Sequence, residues 1–333
     1  ITSAEINRAK HAKKSFAASW DGQFGSWEYQ AVMNQEKGTE IVVDWEDETS
    51  VRMSAAQLYD LVFDGNNKWM LSANGTLFTY EYEAIIPGLL KRWYEERQEM
   101  QRKMRECGDN EIEREYWDKR QLVKKINLNS LYGAILNPGC RFFDMRIGQS
   151  VTLSGRCITK HMASKVNEIV AGKYDHKGES VVYGDTDSVY FSAYKTLEKE
   201  IKDGLIPWTR DSVLGLYDKI SEEVNSSFKA FMTRAFHTPA TRGEVIAAGR
   251  ELVASKGLFI TKKRYALLYY DKEGKRTDVD GKEGKMKAMG LDLKRSDTPV
   301  FVQDFLSEIL YMVLSGNEEK KVLDRISEFR AEF

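Results

Sequence analysis

A chain of 333 residues with 50 Lys and Arg against 51 Asp and Glu carries a formal charge of −1, so no global excess marks it for a polyanion and any such partner must be met by local patches. Its composition, 42% hydrophobic and 30% charged, is that of a globular protein of about two domains, with no apolar run near the ~20 residues of a membrane span. Three widely spaced cysteines (Cys107, Cys140, Cys157) and four histidines argue against a disulfide framework and a structural zinc cage, and fit a reducing, cytoplasmic setting.

In chain order, residues 1–37 are polar and mixed and read as helix plus loop, with no signal-peptide pattern after Ile1. Glu40 to Trp45 reads as a strand, with Val51 to Met53 as its partner. Asn74-Gly75 between Trp69–Leu71 and Leu77–Tyr80 is a hairpin signal. Pro87 suits a first helical turn, and the spacing predicts a charged helix to about Glu106, broken by Gly108-Asp109-Asn110. A second helix is predicted from about Ile112 to Tyr132, stopping at Gly133, so the pair forms an antiparallel helical hairpin. Most of its charges read as a solvated surface. Residues 148–171 predict a further helix and 172–179 a loop. Val181–Tyr183 and Val189–Phe191 read as strands flanking a tight turn. A helix near 211–235 comes next, then strands near 244–252 and 257–270. Thr298-Pro299 opens a last helix with Phe301, Phe305, Ile309, Met312 and Val313 on one apolar face, and the chain stops shortly after it. Antiparallel strands with segregated helices read as α+β.

The sharpest chemical signal is Tyr183-Gly184-Asp185-Thr186-Asp187-Ser188. Residues two apart on an extended chain point to one side, so Asp185 and Asp187 are expected to project together. Neighbouring carboxylates repel unless a cation sits beside them, and hard oxygen donors with open positions suit Mg²⁺. Taken alone, an Asp-x-Asp serves equally as a structural turn or as a sugar-nucleotide metal site. Lys125, Asn129 and Tyr132 recur at i, i+4 and i+7, on one helical face ending at Gly133. A cation, an amide and an aromatic ring there can hold a nucleotide; an ordinary amphipathic helix end is the plainer reading of these three by themselves. From Lys256 to Arg295 there are twelve Lys/Arg against six Asp/Glu, a local basic stretch in a nearly neutral chain. Lys262, Lys263 and Arg264 are consecutive, which is a poor choice for a merely solvated strand edge, whereas Lys272 and Lys275 fit a solvated hairpin.

Together these residues resemble family B DNA polymerases. Lys125-x-x-x-Asn129-Ser130-x-Tyr132-Gly133, with Tyr183 to Ser188 about fifty residues later, resembles that family's motifs B and C. Lys262-Lys263-Arg264-Tyr265 resembles its Lys-Lys-Arg-Tyr motif. Lys287-x-Met289-Gly290-Leu291 with Ser296-Asp297-Thr298-Pro299 resembles the family segment leading from palm to thumb. Order and spacing are similar to those of the replicative enzymes of T-even-like phages. The resemblance implies an α+β fold: a palm with an antiparallel sheet (1–83 and 137–297), inserted helical-hairpin fingers (84–136) and the start of a helical thumb (298–333). It implies DNA-templated addition of dNTP to a primer 3′-hydroxyl, with two Mg²⁺ ions for which Mn²⁺ would substitute. Asp187 would be a metal ligand with Asp185 beside it, and Glu244 matches a further carboxylate near the metals. Arg97 and Lys125 would bind the triphosphate, while Asn129 and Tyr132 would line the nascent base pair. Lys262, Lys263, Arg264, Tyr265 and Lys287 would grip primer–template DNA through its minor groove, whose similar acceptors at every pair suit reading without sequence preference.

The chain departs from the family's pattern in two places. A second phosphate-binding Lys, four residues after the Arg, falls on Gln101, and Arg102 or Lys103 would replace it only if the helix turned differently. Motif A, Asp-x-x-Ser-Leu-Tyr-Pro-Ser, is not found; Leu214-Gly215-Leu216-Tyr217 lacks its context, and Ile1 to Ile6 resembles the stretch just after motif A in phage members. The expectation is the C-terminal part of a split or truncated polymerase, inactive without an upstream segment that carries motif A and the exonuclease. A sliding clamp would bind through a tail beyond Phe333. The alternatives are a non-catalytic, polymerase-like protein that binds primer–template DNA, and a sugar-nucleotide transferase, which leaves Lys125–Gly133 and Lys262–Tyr265 unexplained.

Overall fold

The computed structural model describes residues 37–45, 47–64, 68–279 and 281–332, so the helix-plus-loop expectation for residues 1–37 lies outside it but for Lys37. The chain divides into two compact units, one holding residues up to His161 together with Phe228–Val245, the other Met162–Ser227 with Ile246–Phe333.

The first unit begins with the antiparallel pair β1 (Glu40–Asp44) and β2 (Ser50–Ser54), in the register Glu40↔Ser54. Helix α1 (Ala55–Tyr59) starts at once because Ser54 and Gln57 form a capping box, each side chain accepting from the other's backbone N–H. A π-turn over Asp60–Asp64 leads to β3 (Trp69–Leu71), which returns through Asn74-Gly75 as β4 (Leu77–Thr79). Ile41, Ala55, Leu58, Val62 and Leu71 form the core under these elements.

Helices α2 (Ile85–Glu106) and α3 (Glu111–Ile135) come next. Their contacts step in opposite directions along the chain: Lys103 lies over Trp117, Arg97 bonds Gln121, and Glu96 pairs with Lys124. That order makes the pair antiparallel, as the charge and turn pattern predicts. Polar pairs dominate the seam, since α2 buries no residue and α3 buries Ile135 alone among the described residues. Asn110 caps α3 by accepting from the Glu113 N–H. Against expectation, α3 does not stop at Gly133 but runs two residues further. One interior glycine costs a helix about 1 kcal/mol, and the next-turn hydrogen bonds outweigh it.

Helix α4 (Met145–Ala171) begins in this unit, where Cys157 packs with Phe231, Ala235 and Phe236 of the helix Arg210–Phe236. The His161 ring stacks on Phe231 at 3.9 Å.

In the second unit, β5 (Val181–Asp185) and β6 (Ser188–Phe191) form a hairpin, with α5 (Glu198–Lys202) and α6 (Arg210–Phe236) after it. After α7 (Ala240–Gly243), which belongs to the first unit, come β7 (Leu252–Thr261), β8 (Arg264–Lys272), β9 (Lys275–Arg276) and β10 (Lys285–Met289). These make an antiparallel sheet in the order β10-β8-β7, with β9 paired to β8. Four successive β8 residues, Tyr265 to Leu268, are buried, so β8 is covered on both faces and shows no alternation.

Several expectations for this part of the chain need correction. The single strand expected near 257–270 is two, β7 and β8, which turn back on each other at Lys262-Lys263. Residues 244–251 are not a strand: the Asn225 side chain exchanges hydrogen bonds with both the N–H and the C=O of Ala248, supplying partners that a neighbouring strand would otherwise give. The last predicted helix, α8 (Val300–Leu314), is succeeded by another, α9 (Glu319–Ala331). The face expected for α8 is displaced: Phe301 and Val313 are exposed, and the residues that pack against the sheet lie one position further along the helix. Leu306, Leu310 and Leu314 pack on Ala266, Leu268 and Ala288 of the sheet, whereas Phe305 stacks on Phe329 of α9 at 3.7 Å. Among the described residues no helix is long and apolar enough to cross a membrane.

Candidate functional site

In the second unit Asp185 ends β5, opposite Ser188, and Thr186-Asp187 is the two-residue turn between the strands. Thr186 adopts φ +52, so Asp187 sits in a left-handed turn and not on an extended strand; strand alternation is therefore not what sets the direction of the two carboxylates. Asp187 is exposed and Asp185 half-buried. Asp185 Oδ2 accepts from the Tyr183 hydroxyl at 3.3 Å and Oδ1 from Thr186 at 3.2 Å. Among the described residues, no group of three or more His, Cys, Asp or Glu gathers into a metal cage.

Lys262 and Lys263 are likewise a two-residue turn, joining β7 to β8 through the pair Thr261↔Arg264. Both are exposed, and among the described residues neither is paired with an acid. Lys263 takes φ +63, and its N–H donates to the Tyr183 hydroxyl at 2.8 Å. Tyr183 thus joins the Asp-x-Asp hairpin to the cationic turn, accepting from one and donating to the other. A Cβ on Gly290 would stand 2.2 Å from the Lys263 carbonyl oxygen, so a residue without a side chain is required there. Arg264 Nε donates to the Gly290 carbonyl at 3.2 Å.

Tyr265 is buried rather than presented at the surface, and its hydroxyl meets that of Tyr190 at 3.0 Å. Burial pushes both phenols above their ordinary range, so both remain neutral at physiological pH. With Tyr183 and Phe259 they form an aromatic cluster, centroids 5.4–5.8 Å apart, behind the two turns. Lys287 on β10 is already engaged by Glu251 at 2.9 Å.

In the first unit Arg97 is half-buried on α2, its Nε bound to Gln121 on α3 at 3.2 Å. Lys125 and Asn129 are exposed on α3, and the Tyr132 hydroxyl donates to the Gly148 carbonyl at 3.0 Å. Nothing lies within 4 Å of where a Gly133 Cβ would stand. The two cations beside Gln101 are committed elsewhere: Arg102 is clasped by Glu99 and Glu106, and Lys103 lies 4.7 Å over the Trp117 ring. Neither restores the missing charge. Glu244 is exposed at the end of α7 and pairs with Lys229 Nζ at 2.6 Å.

Tyr183 and Gly290 lie inside motifs that are plain in the sequence, but their roles depend on Lys263, which is distant from both along the chain. A hydroxyl next to the Gly-Asp-Thr-Asp turn and a glycine closing a basic strand were the available signals.

The chain belongs to DNA polymerase family B, whose model matches residues 39–205 and 244–332, taking in α2, α3 and both turns. It is 34% identical over 210 residues to the DNA-directed DNA polymerase of Escherichia phage RB69, covering 60% of this chain and 22% of that protein. To the DNA-directed DNA polymerase of Enterobacteria phage T4 it is 31% identical over 211 residues, covering 60% and 23%. To DNA polymerase 1 of Pyrococcus abyssi it is 26% identical over 257 residues, covering 76% and 27%. The chain therefore spans about a quarter of the length of these curated relatives.

Proposed function

We propose that this chain is the part of a DNA-templated DNA polymerase that receives the incoming dNTP and grips the primer–template. In this reading residues 84–136 are fingers, 1–83 and 137–297 palm, and 298–333 the start of the thumb. The observation that carries it is the Tyr183 hydroxyl, which donates to Asp185 and accepts from Lys263 N–H. One phenol ties Asp185, beside Asp187, to a cationic turn, which sets carboxylates of metal-ligand type and exposed lysines side by side within one unit.

Asp187 and Asp185 offer hard oxygen donors, the chemistry that Mg²⁺ or Mn²⁺ takes. Bound divalent ions supply charge stabilisation at the attacking and leaving oxygens of nucleotidyl transfer. Two carboxylates leave most of a two-ion site to phosphate, water and a further carboxylate, so the reading includes as partner a polymerase segment that brings another Asp. Arg97 can fork two phosphate oxygens, which a single ammonium cannot, and Lys125 adds a point charge. Asn129 and Tyr132 would border the nascent pair, with Tyr132 held by its bond to Gly148. Lys262, Lys263 and Arg264 would lie along the duplex backbone and minor groove, with Lys287 joining them on release from Glu251. Glu244, held by Lys229, would contribute charge near the ions.

The test is primer extension with Mg²⁺ by the chain supplied with such a segment. Asp187→Asn is expected to lower the rate about a hundredfold or more, while primer–template affinity stays within about twofold. Undiminished extension by Asp187→Asn would remove the reading. Tight primer–template binding with no extension under any supplement would instead return the non-catalytic alternative.

A further inference from the structure

The helical hairpin contains a side-chain relay that the nucleotide reading leaves unused. Arg97 Nε on α2 donates to Gln121 Oε1 on α3 at 3.2 Å, and Gln121 Nε2 donates in turn to Asp118 Oδ1 at 2.9 Å. A guanidinium carries five N–H donors in one plane, so a bond at Nε fixes that plane while leaving both Nη groups available. Among the described residues no carboxylate is paired with Arg97. Cations around it are treated differently: Arg102 is held by Glu99 and Glu106, and Lys124 by Glu96. Arg97 alone of these three meets a neutral amide, which orients the group without cancelling its charge. Gln121 also stands one helical turn before Lys125, extending the stripe of Lys125, Asn129 and Tyr132 by a turn.

We propose that Gln121 is a positioning residue for Arg97. Its amide oxygen holds the guanidinium plane with both Nη nitrogens turned to the phosphates of a nucleotide. Asp118, by accepting from the amide nitrogen, fixes which end of the amide faces Arg97. The inference rests on the reading of Arg97 as a phosphate ligand. It gains weight from Gln101, because with no third cation there the orientation of Arg97 matters more.

The experiment titrates the 333-residue chain with inorganic tripolyphosphate in a calorimeter, with circular dichroism melting to confirm folding. Gln121→Glu keeps the length of the side chain and pairs more strongly with Arg97. In Gln121→Ala, which adds no charge to repel the anion, a contact that served only to tie the two helices would leave polyphosphate affinity unchanged. The proposal expects Gln121→Glu to weaken binding by about tenfold, close to Arg97→Ala, because the carboxylate takes up the charge that the phosphate needs. Gln121→Ala, which keeps the charge but frees the plane, is expected to weaken binding by about threefold. If Arg97→Ala weakens binding and Gln121→Ala stays within about twofold of the parent, the proposal is overturned while the site reading stands, whatever Gln121→Glu does. If Arg97→Ala binds as the parent does, the site reading falls and this inference falls with it.

Discussion

Gly290 offers the sharpest steric test of the cationic turn. Its backbone lies at φ +62, and an added Cβ would stand 2.2 Å from the Lys263 carbonyl oxygen and 3.2 Å from its carbon. Gly290→Ala therefore meets two costs. An L-residue in the left-handed region loses about 1–2 kcal/mol. Forcing a methyl against main-chain atoms that cannot rotate away adds about 1–3 kcal/mol, as overpacking does elsewhere. Gly274, in the β8–β9 turn, is a built-in control: its φ is +79, but nothing lies within 4 Å of its added Cβ. Gly274→Ala should lose only the backbone part, about 1–2 kcal/mol, against about 2–5 kcal/mol for Gly290→Ala. Urea denaturation of each variant reads the difference as a shift in midpoint at constant slope. Relief of the clash must also move Lys263, whose N–H bonds Tyr183, so Gly290→Ala should lower primer–template affinity where Gly274→Ala does not. Equal midpoints for the two variants would refute the close approach and the role given to it.

Gln101→Lys should lower the KM for dNTP severalfold in steady-state incorporation, because Arg102 and Lys103 are engaged by Glu99, Glu106 and Trp117; an unchanged KM would show that no cation is wanted there. Lys263→Ala should reduce the slope of log affinity against log salt for duplex DNA by about one, whereas Lys272→Ala, at the far end of β8, should leave it unaltered. The Asp278 side chain is only 4% exposed, and it is held well below the usual carboxylate range by Arg276 first and Arg210 second, each at 2.6 Å. Its folded value lies below its unfolded one, so its contribution is complete above about pH 5 and is lost as pH falls toward the folded value. Asp278→Asn should cost about 1.5–3 kcal/mol at pH 7 and flatten the acid limb of the stability profile; an acid limb identical to the parent's would refute this assignment.

How much the sequence discloses depends on how local each signal is. The turn at Lys262-Lys263 is hidden in a stretch that reads as one continuous strand, because no glycine, proline or asparagine marks it. The Gly-Asp-Thr-Asp turn and the stripe from Lys125 to Tyr132, by contrast, are contiguous, so their residues stand out together. The β1–β2 and β3–β4 pairs are legible for the same reason, each being closed by its own short turn. The strand-like pattern of residues 244–251 misleads because it is answered by Asn225, a side chain well upstream on α6. Helix α9 escapes a sequence reading because its residues are mostly charged, and its anchor, Phe329 on Phe305, shows only once the two helices are folded back. Gly133 reads as a stop because glycine usually ends helices, and here hydrogen bonding in the next turn overrides that preference.

The two turns with proposed chemistry share a further property. Each places a residue other than glycine in the left-handed region, Thr186 at φ +52 and Lys263 at φ +63. A two-residue hairpin turn would be relaxed by Asn-Gly or Gly-Gly, and a β-branched Thr is among the least favourable choices. Strain of about 1–3 kcal/mol persists only where surrounding contacts over-determine the backbone. Those contacts are present for Lys263: its N–H is held by Tyr183, and its carbonyl lies in the notch left by Gly290. The chain therefore keeps a lysine where glycine would be easier and surrounds it with a hydroxyl and a bare backbone that hold it there. That cost is understandable if the cation itself is needed at the tip, and the salt slope of Lys263→Ala measures whether it is.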